Sequence, residues 1–286
     1  MAQRVEAALE IAVSRAETGA PPLLAAAVRH AVFSGGARVR PQLCLAIAQA
    51  CGDDQPGLAD AAAAAIEMLH CASLAHDDLP CFDDAATRRG RPSVHALYGA
   101  PLAVLAGDAL IVMAFETVAR AGVAAPSRLP LLLGTVARGV GMPAGIAAGQ
   151  AWESEPSPPV EIYHQAKTGA LFVAATMSGA LAAGADPQPW RALGEALGAA
   201  YQVADDLADA VLTEADLGKP TGRDEALHRP TLVGQLGLRG AYDRLQALVG
   251  EAVDAIPPCE GARELRELVR MQATRLAPKQ LARSAA

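Results

Sequence analysis

Long apolar stretches dominate the chain, and short polar or glycine- and proline-rich segments separate them. The window LADAAAAAIEMLHCASLAHDD, residues 58–78, consists largely of strong helix formers. No segment alternates apolar and polar residues as a half-buried strand does. Breaks fall near residues 18–22, 51–57, 90–92, 98–101, 124–127, 153–159, 183–189, 218–222 and 256–259. The pattern predicts one all-α domain, residues 1–286, built as a bundle of roughly ten helices.

The composition favours helices and argues against a nucleic-acid partner. Hydrophobic residues make up 52% of the chain and aromatic residues only 3%, so the core must consist of Ala, Leu, Val and Ile. This usage is typical of closely packed helices. A formal net charge of −7 leaves no broad basic face for a phosphate backbone. A small anionic ligand stays compatible with the sequence, because basic residues can cluster locally.

The cysteines and the charge pattern indicate a cytoplasmic protein without a transmembrane segment. Five cysteines are scattered without a C-x-x-C pair, so we expect reduced thiols and no zinc site. The first ten residues carry charges where a secretory signal would have an apolar run. The apolar run from Pro101 contains Asp108 and Glu116, so we do not expect it to cross a membrane.

The first cluster of chemically active side chains is HDDLPCFDDAATRRG, residues 76–90. Asp77 and Asp78 end a predicted helix, because Pro80 disfavours helical geometry at the residue before it. We expect the following bend to bring Asp83 back toward Asp77. Two unit charges about 4 Å apart interact by roughly 4 kcal/mol at an effective dielectric near 20. The clustered aspartates therefore repel one another unless a cation lies among them.

A second acidic cluster, YQVADDLADA, spans residues 201–210. Asp205 and Asp209 are four residues apart and share one helical face, with Asp206 beside them. No basic residue lies between Tyr201 and Asp209, so a local ion pair cannot explain the cluster. A solvated helix face is the usual interpretation of a lone acidic run, but the apolar neighbours and the related first cluster favour a metal site. Carboxylates without Cys or His partners suit Mg²⁺, which would in turn attract a diphosphate.

Basic residues in several segments, some of them beside glycines, are candidates for holding that anion. Arginine offers bidentate donors to phosphate, and glycine permits close backbone approach. Alone, the stretch SGGARVRP (34–41) is more often a plain turn, and no segment has the spacing of a Walker A loop. The candidates are Arg38, Arg40, Arg88, Arg89, Lys167, Thr168, Lys219 and Arg223.

Seven segments in one order resemble the trans-isoprenyl diphosphate synthases, most closely the bacterial geranylgeranyl diphosphate synthases of carotenoid pathways. They are GGARVRP, HDDLPCFD with RRGRPS, AGDAL, GQAWE, AKTGALF, YQVADDLAD and LGKPTGRD, within about residues 30–235. The resemblance implies mostly antiparallel helices around a deep central cavity, usually in a homodimer. It also implies Mg²⁺-dependent condensation of isopentenyl diphosphate with dimethylallyl, geranyl or farnesyl diphosphate.

The same resemblance implies roles for individual residues. Metal binding falls to Asp77, Asp78, Asp83, Asp205 and Asp209. The allylic diphosphate would contact Arg88, Lys167, Thr168, Gln202 and Lys219. Isopentenyl diphosphate would contact Arg40, His70 and Arg89. A lone histidine on an alanine-rich helix is otherwise most often a packed core residue, and His70 could be one.

The implied mechanism follows from charge. Metal ions and arginines would stabilise the departing diphosphate, and the double bond of isopentenyl diphosphate would attack the allylic carbocation. Lys167, Thr168 and Gln202 would stabilise that cation as catalytic residues. The released diphosphate would accept the proton, so no side-chain nucleophile is needed. The sequence indeed contains no convincing Ser-His-Asp or Cys-His arrangement.

Three positions depart from the family pattern. Ala37 stands where Lys is common, and Arg229 takes a lysine's place in HRPTL (228–232), so both changes could weaken isopentenyl diphosphate binding. Glu153 occupies a position after GQ where Asp is common. The metal motifs are complete, and the departures therefore do not indicate an inactive chain.

Product length should depend on the helix before Asp77. Bacterial farnesyl diphosphate synthases often carry an aromatic residue five positions earlier, where this chain has Ala72 followed by Ser73. The missing ring would leave room for another isoprene unit, which predicts geranylgeranyl diphosphate, unless Ala72 is ordinary helix filler. Alternatives are a farnesyl diphosphate synthase, a non-catalytic subunit of a heteromeric synthase and a class I terpene cyclase. Two intact acidic motifs argue against the subunit, and the isopentenyl diphosphate residues argue against the cyclase.

Overall fold

The computed structural model describes residues 1–212 and 231–276 and confirms the all-α prediction. Within these residues, ten helices have twelve residues or more and three are shorter. The helices are α1 (Ala2–Glu17), α2 (Pro22–Phe33), α3 (Val39–Ala50), α4 (Pro56–Asp77), α5 (Val94–Tyr98), α6 (Ala100–Gly122), α7 (Leu129–Val140), α8 (Ile146–Trp152), α9 (Val160–His164), α10 (Ala170–Ala182), α11 (Arg191–Val211), α12 (Leu232–Asp254) and α13 (Ala262–Leu276). A π-helical turn (Gln165–Gly169) joins α9 to α10, and a 3-10 turn (Gln188–Trp190) precedes α11.

A small hairpin follows α4 and was not predicted. Its strands β1 (Thr87–Arg88) and β2 (Arg91–Pro92) pair antiparallel. Arg89 and Gly90 form the two-residue turn, and both have a positive φ, 55° and 73°. Two central residues with positive φ suit a tight hairpin, because the twist of such a turn matches that of the strands. The hairpin presents its arginines beside the end of α4.

The core centres on α4, which packs against α6, α10 and α3. Most of its residues from Leu58 to Ala75 are buried. Many of them are alanines, whose small side chains let neighbouring helices approach closely. A second apolar cluster lies among α3, α10, α11, α12 and α13. Ala, Leu, Val and Ile make up most of the core among the described residues, as predicted, and larger side chains such as Phe172 and Trp190 complete it.

Two helices, α4 and α6, are long and apolar enough to cross a membrane by length and composition alone. In α4, 78% of the apolar window is buried inside the bundle, as expected of a core helix. In α6 only 39% of the window is buried. Asp108 and Glu116 interrupt its apolar sequence, and both side chains are exposed. The open apolar face of α6 therefore calls for a separate explanation.

Candidate active site

A cavity of about 450 Å³ opens at the C-terminal end of α4. Side chains from α3, α4 and the loop after it, the hairpin, α8, α9, the π-helical turn, α10 and α11 line it. The residues are Arg40, His70, Ser73, Leu74, Asp77, Asp83, Ala85, Arg88, Arg89, Ile146, Gln150, Tyr163, Lys167, Thr168, Leu171, Tyr201, Gln202, Asp205 and Asp209. Acidic and basic side chains thus share one cavity with apolar side chains. This lining suits a ligand with an anionic head and an apolar body.

The first acidic motif bends as predicted. The backbone N–H of Asp83 donates a hydrogen bond to the carbonyl of Asp77 at 2.9 Å, which closes the turn after α4. Both residues line the cavity. The Oδ1 atom of Asp77 is buried without a hydrogen bond, and burial raises the pKa of this carboxyl group while nearby Lys167 and Arg88 oppose the rise. A buried carboxylate oxygen without a hydrogen bond is a favourable ligand atom for a cation.

Asp78 lies differently from its neighbour. Its side chain is only 2% exposed and accepts a hydrogen bond from Nε of Arg88 at 2.8 Å. Burial raises the pKa of Asp78, and the bond from Arg88 counteracts this. Asp78 is not among the residues that line the large cavity. Asp78 therefore pairs with Arg88, whose Nη2 also lies 3.7 Å from Oδ2 of Asp77, and metal binding by Asp78 stays a prediction.

The second acidic motif presents one face of α11 to the cavity. Tyr201, Asp205 and Asp209 follow at intervals of four residues and all line it. Asp206 points elsewhere, because it accepts hydrogen bonds from Nε2 of Gln202 at 3.0 Å and from the backbone N–H of Leu232 at 2.7 Å. Asp206 thereby ties α11 to the start of α12, while Asp205 and Asp209 face Asp77 and Asp83 within one cavity.

A basic cluster occupies one side of the cavity. The guanidinium of Arg40 lies 4.4 Å from the ring centre of Phe172, its Nε is buried without a hydrogen bond, and burial lowers its pKa. His70 is close to Arg89, with 3.3 Å between Nε2 and Nη2. Burial and the surrounding arginines hold the pKa of His70 well below its usual value. The imidazole is therefore neutral and can accept a hydrogen bond from Arg89.

The glycine pair before Arg40 leaves room for the side chain of Arg89. Gly36 has a φ of 123°, and a Cβ there would lie 2.5 Å from the guanidinium carbon of Arg89. Arg89 also donates to the carbonyl of Gly35. The expected close approach at these glycines thus serves an arginine side chain of the hairpin.

Arg38 does not belong to the cavity. It adopts a left-handed conformation before α3, with φ 50° and ψ 37°. Its buried side chain binds Glu67 at 2.7 Å and Glu6 at 2.8 Å, and it donates to the carbonyl of Val32. The structure corrects the sequence analysis here, since Arg38 holds α1, α2 and α4 together instead of facing an anion.

The π-helical turn carries Lys167 and Thr168 into the cavity. The hydroxyl of Thr168 donates to Oε1 of Gln202 at 2.8 Å, which links the turn to α11. The Nζ of Lys167 lies 3.7 Å from Oδ1 of Asp77 and donates to Glu153. All three predicted catalytic residues therefore line the cavity, and two of them, Thr168 and Gln202, are hydrogen-bonded to each other.

The predicted length residues separate on α4. Ser73 lines the cavity, together with His70, Leu74 and Asp77 of the same helical face. Ala72 is 2% exposed, packs in the large apolar core and is not among the residues that line the cavity. Three basic residues of the sequence analysis, Lys219, Arg223 and Arg229, lie outside the described residues.

Sequence reasoning missed several lining residues, among them Gln150 and Tyr163. Tyr201 could have been found, because it precedes Asp205 by one helical turn on the same face. Glu153 was noticed only as a departure, whereas the structure makes it the partner of Lys167. Nothing local in the sequence signals this pairing, which depends on the packing of α8 against the π-helical turn.

The chain matches a known protein family. The polyprenyl synthetase family matches residues 21–262. The geranylgeranyl diphosphate synthase of Cereibacter sphaeroides is 53% identical over 281 residues, 98% of each chain. The geranylgeranyl diphosphate synthase of Rhodobacter capsulatus is 49% identical over 96% of this chain and 95% of that protein.

Solved structures share the fold. A geranyltransferase from Helicobacter pylori, complexed with magnesium and isoprenyl diphosphate, aligns with a TM-score of 0.78 at 31% identity over 89% of each chain. A polyprenyl synthase from Caulobacter crescentus, complexed with calcium and isoprenyl diphosphate, aligns with a TM-score of 0.81 at 26% identity over 96% of each chain. The chain therefore belongs to the polyprenyl synthetase family and is a prenyltransferase.

Proposed function

We propose that this prenyltransferase condenses isopentenyl diphosphate with an allylic diphosphate and releases geranylgeranyl diphosphate. The observation that carries the proposal is the shared cavity, in which two acidic helix faces, a basic cluster and an apolar wall meet. Each substrate has a diphosphate head and an apolar chain. The names of the two relatives with 53% and 49% identity support the same product.

The carboxylates fit Mg²⁺, which we propose as the cofactor. Among the described residues, no group of three Asp, Glu, His or Cys side chains could hold a metal ion by itself. Mg²⁺ does not require such a cage, because it keeps waters and completes its shell with substrate phosphates. Asp77, Asp83, Asp205 and Asp209 would hold it, with the buried Oδ1 of Asp77 as one ligand atom. When bound, the metal would neutralise the charge that develops on the departing diphosphate.

The allylic diphosphate would lie between the two acidic faces. Arg88, fixed by Asp78, and Lys167, beside Asp77, would bind its oxygens. The hydroxyl of Thr168 and the amide of Gln202 would stand next to the carbon that becomes cationic, since they are hydrogen-bonded to each other at this wall. Lys219 lies outside the described residues, and its place at this site stays a prediction.

The basic cluster would receive isopentenyl diphosphate. Arg40 and Arg89 supply guanidinium donors, and the Nε of Arg40 is buried without a partner. A buried donor without a partner is costly, and a phosphate oxygen would satisfy it. Neutral His70 accepts from Arg89 and so orients that arginine without adding charge. Ala37 supplies no further cation at this position.

The product length follows from the apolar wall. Tyr163 and Tyr201 line the cavity from α9 and α11; Ser73, Leu74, Ile146 and Leu171 also line it, and none of these four is aromatic. A growing chain would extend along these side chains. We therefore expect elongation beyond the farnesyl stage, with Ser73 as the residue of α4 that faces the chain.

We also propose a homodimer. Helix α6 exposes Leu105 by 51% and Val112 by 66%, and α7 exposes Leu131 by 60%. Contiguous exposed apolar patches mark interaction surfaces, and shallow grooves run along this face of α6. A second copy of the chain is the proposed occupant.

Product analysis tests the function directly. Purified protein with Mg²⁺, isopentenyl diphosphate and farnesyl diphosphate should yield geranylgeranyl diphosphate, identified by chromatography after removal of the phosphates. Asp77→Ala and Asp205→Ala should each lower kcat at least about 100-fold, because each removes electrostatic stabilisation of the leaving group. Circular dichroism should show unchanged helix content. No linear product from the wild type would refute the proposal, and full turnover in both variants would refute the metal assignment.

A further inference from the structure

Glu153 lies directly after α8 and gathers three donors on one carboxylate. Its Oε1 accepts from the hydroxyl of Tyr163 at 2.7 Å and from Nζ of Lys167, and its Oε2 accepts from Nε2 of Gln150 at 2.8 Å. The Glu153 side chain is 12% exposed. A partly buried carboxylate with charged and neutral donors on both oxygens is held in one orientation.

The backbone around this carboxylate is equally constrained. A Cβ on Gly149 would lie 2.3 Å from the backbone nitrogen of Lys167, so α8 and the π-helical turn touch without space between them. Glu153 and Lys167 are therefore brought together by two packed elements. The Lys167 side chain, which is flexible when it has no partner, is therefore held in place by the Glu153 carboxylate.

The position of the Lys167 ammonium shows what the anchor does. Asp77 is also an anion near this ammonium, yet its Oδ1 stays 3.7 Å away and has no hydrogen bond. Lys167 donates to Glu153 instead. Glu153 thus competes with Asp77 for the ammonium and keeps it from forming a close pair with a proposed metal ligand.

We propose that Glu153 is a positioning residue, which holds Lys167 at the allylic diphosphate and away from Asp77. The inference rests on the proposed function and adds to it the residue that fixes the lysine. Glutamate at this position reaches Lys167 while Tyr163 and Gln150 fix the carboxylate from other sides. The effect should be specific to the allylic substrate, because Arg40, His70 and Arg89 at the basic cluster make none of these contacts.

The test compares Glu153→Gln with Glu161→Gln, a matched change at an exposed position of α9. Glu153→Gln should lower kcat at least tenfold and raise the KM for farnesyl diphosphate at least fivefold, while the KM for isopentenyl diphosphate changes less than twofold. Calorimetry with Mg²⁺ should show farnesyl diphosphate binding at least fivefold weaker. Glu161→Gln should match the wild type. Equal changes in both KM values, or unchanged or tighter binding to Glu153→Gln, would overturn the inference.

A double-mutant cycle separates positioning from a general structural effect. If Glu153 acts through Lys167, Glu153→Gln added to Lys167→Met should change kcat less than twofold beyond Lys167→Met alone. If the kcat losses of the two single variants multiply in the double variant, the inference is overturned. Tyr163→Phe removes one donor and leaves the ion pair. It should lower kcat and raise the KM for farnesyl diphosphate by about threefold, so the inference stays testable if Glu153→Gln folds poorly. An unaltered KM for farnesyl diphosphate in Tyr163→Phe would then count against the inference.

Measurements on the wild type separate a failure of the proposed function from a failure of the Glu153 inference. A wild type that neither binds nor converts farnesyl diphosphate would refute the proposed function and this inference with it. Turnover by the wild type together with an unaltered Glu153→Gln variant would refute the inference alone.

Discussion

Asp77 carries a charge that its protein surroundings disfavour. Burial raises the pKa of this carboxyl group even though Lys167 and Arg88 oppose the rise. The folded state therefore binds the proton more tightly than the unfolded state, and the free energy of unfolding falls as pH rises through the folded pKa. We expect Asp77→Asn to raise the free energy of unfolding of the metal-free protein above that pKa and to flatten its decline with pH. Urea unfolding in EDTA, followed from the ordinary aspartate pKa of 3.8 upward in pH, measures both.

The same variant should lose stabilisation by ligands. Mg²⁺ with inorganic diphosphate at 100 times its Kd would stabilise the wild type by about 2.7 kcal/mol, and Asp77→Asn by much less. Asp243→Asn, at an exposed residue of α12, is the control and should behave as the wild type in both measurements. Identical pH slopes for Asp77→Asn and the wild type would contradict the role of burial.

The directions of single side chains could not be predicted from the sequence. Arg38 and Arg40 are two positions apart, and the sequence makes both equal candidates for an anion site. The left-handed conformation of Arg38 sends its side chain to Glu67, while Arg40 reaches the cavity over Phe172. The residue types were predictable as a basic cluster, but the direction of each side chain depends on tertiary partners that no local pattern encodes.

At the scale of the helix, α4 has one face that lines the cavity and another that packs in the core. His70, Ser73, Leu74 and Asp77 recur with helical spacing and line the cavity, whereas Ala72 faces the core. Ser73→Phe should therefore shorten the product to farnesyl diphosphate in a reaction primed with dimethylallyl diphosphate. An aromatic ring at this wall would occupy the space of the next isoprene unit.

The control for this prediction is Ala72→Phe. Because Ala72 is buried in a packed core, the larger ring should cost about 1–3 kcal/mol of stability and leave the product length unchanged. Product chromatography and chemical unfolding of both variants separate the two faces. Shortening by Ala72→Phe, with none by Ser73→Phe, would show that the growing chain follows the other face of α4.

Among the elements, long helices were predictable and short irregular ones were not. The end of α4 at Asp77 followed from Pro80, because the residue before proline avoids helical geometry. The π-helical turn at Lys167 has no such signal, since α and π segments share nearly the same apolar pattern. This turn sets where Lys167 points, and it is why the contact with Glu153 could not be anticipated.

At the scale of the molecule, the bundle brings together acidic motifs that are distant in sequence. Helices α4 and α11 do this through α10, which packs against both. The presence of both motifs, their order and the family were predictable from the sequence, and the family is confirmed by relatives that span nearly the whole chain. The open face of α6 was not anticipated, because its apolar sequence is compatible with a core helix as well as an interface.

The helix that carries this face also contacts the end of α4. Nε2 of His76, the neighbour of Asp77, donates to the carbonyl of Val104 at 3.1 Å, and a Cβ on Gly107 would lie 2.1 Å from the same nitrogen. Helix α6 therefore supports the end of α4. If a second copy of the chain covers α6, association should hold Asp77 in place as well as bury apolar surface.

Val112→Asp tests this at the centre of the face. Burying a valine contributes about 1.5–3 kcal/mol, so replacing it by a charge should weaken a dimer at least about tenfold. Sedimentation equilibrium should show the wild type as a dimer and Val112→Asp shifted to the monomer, with several-fold lower turnover at the same concentration. Leu236→Asp, at an apolar position of α12 that is 51% exposed, should keep both mass and turnover. Equal masses for Val112→Asp and the wild type would show that α6 serves another purpose, whereas a fully active monomer would show that its support of Asp77 needs no second copy.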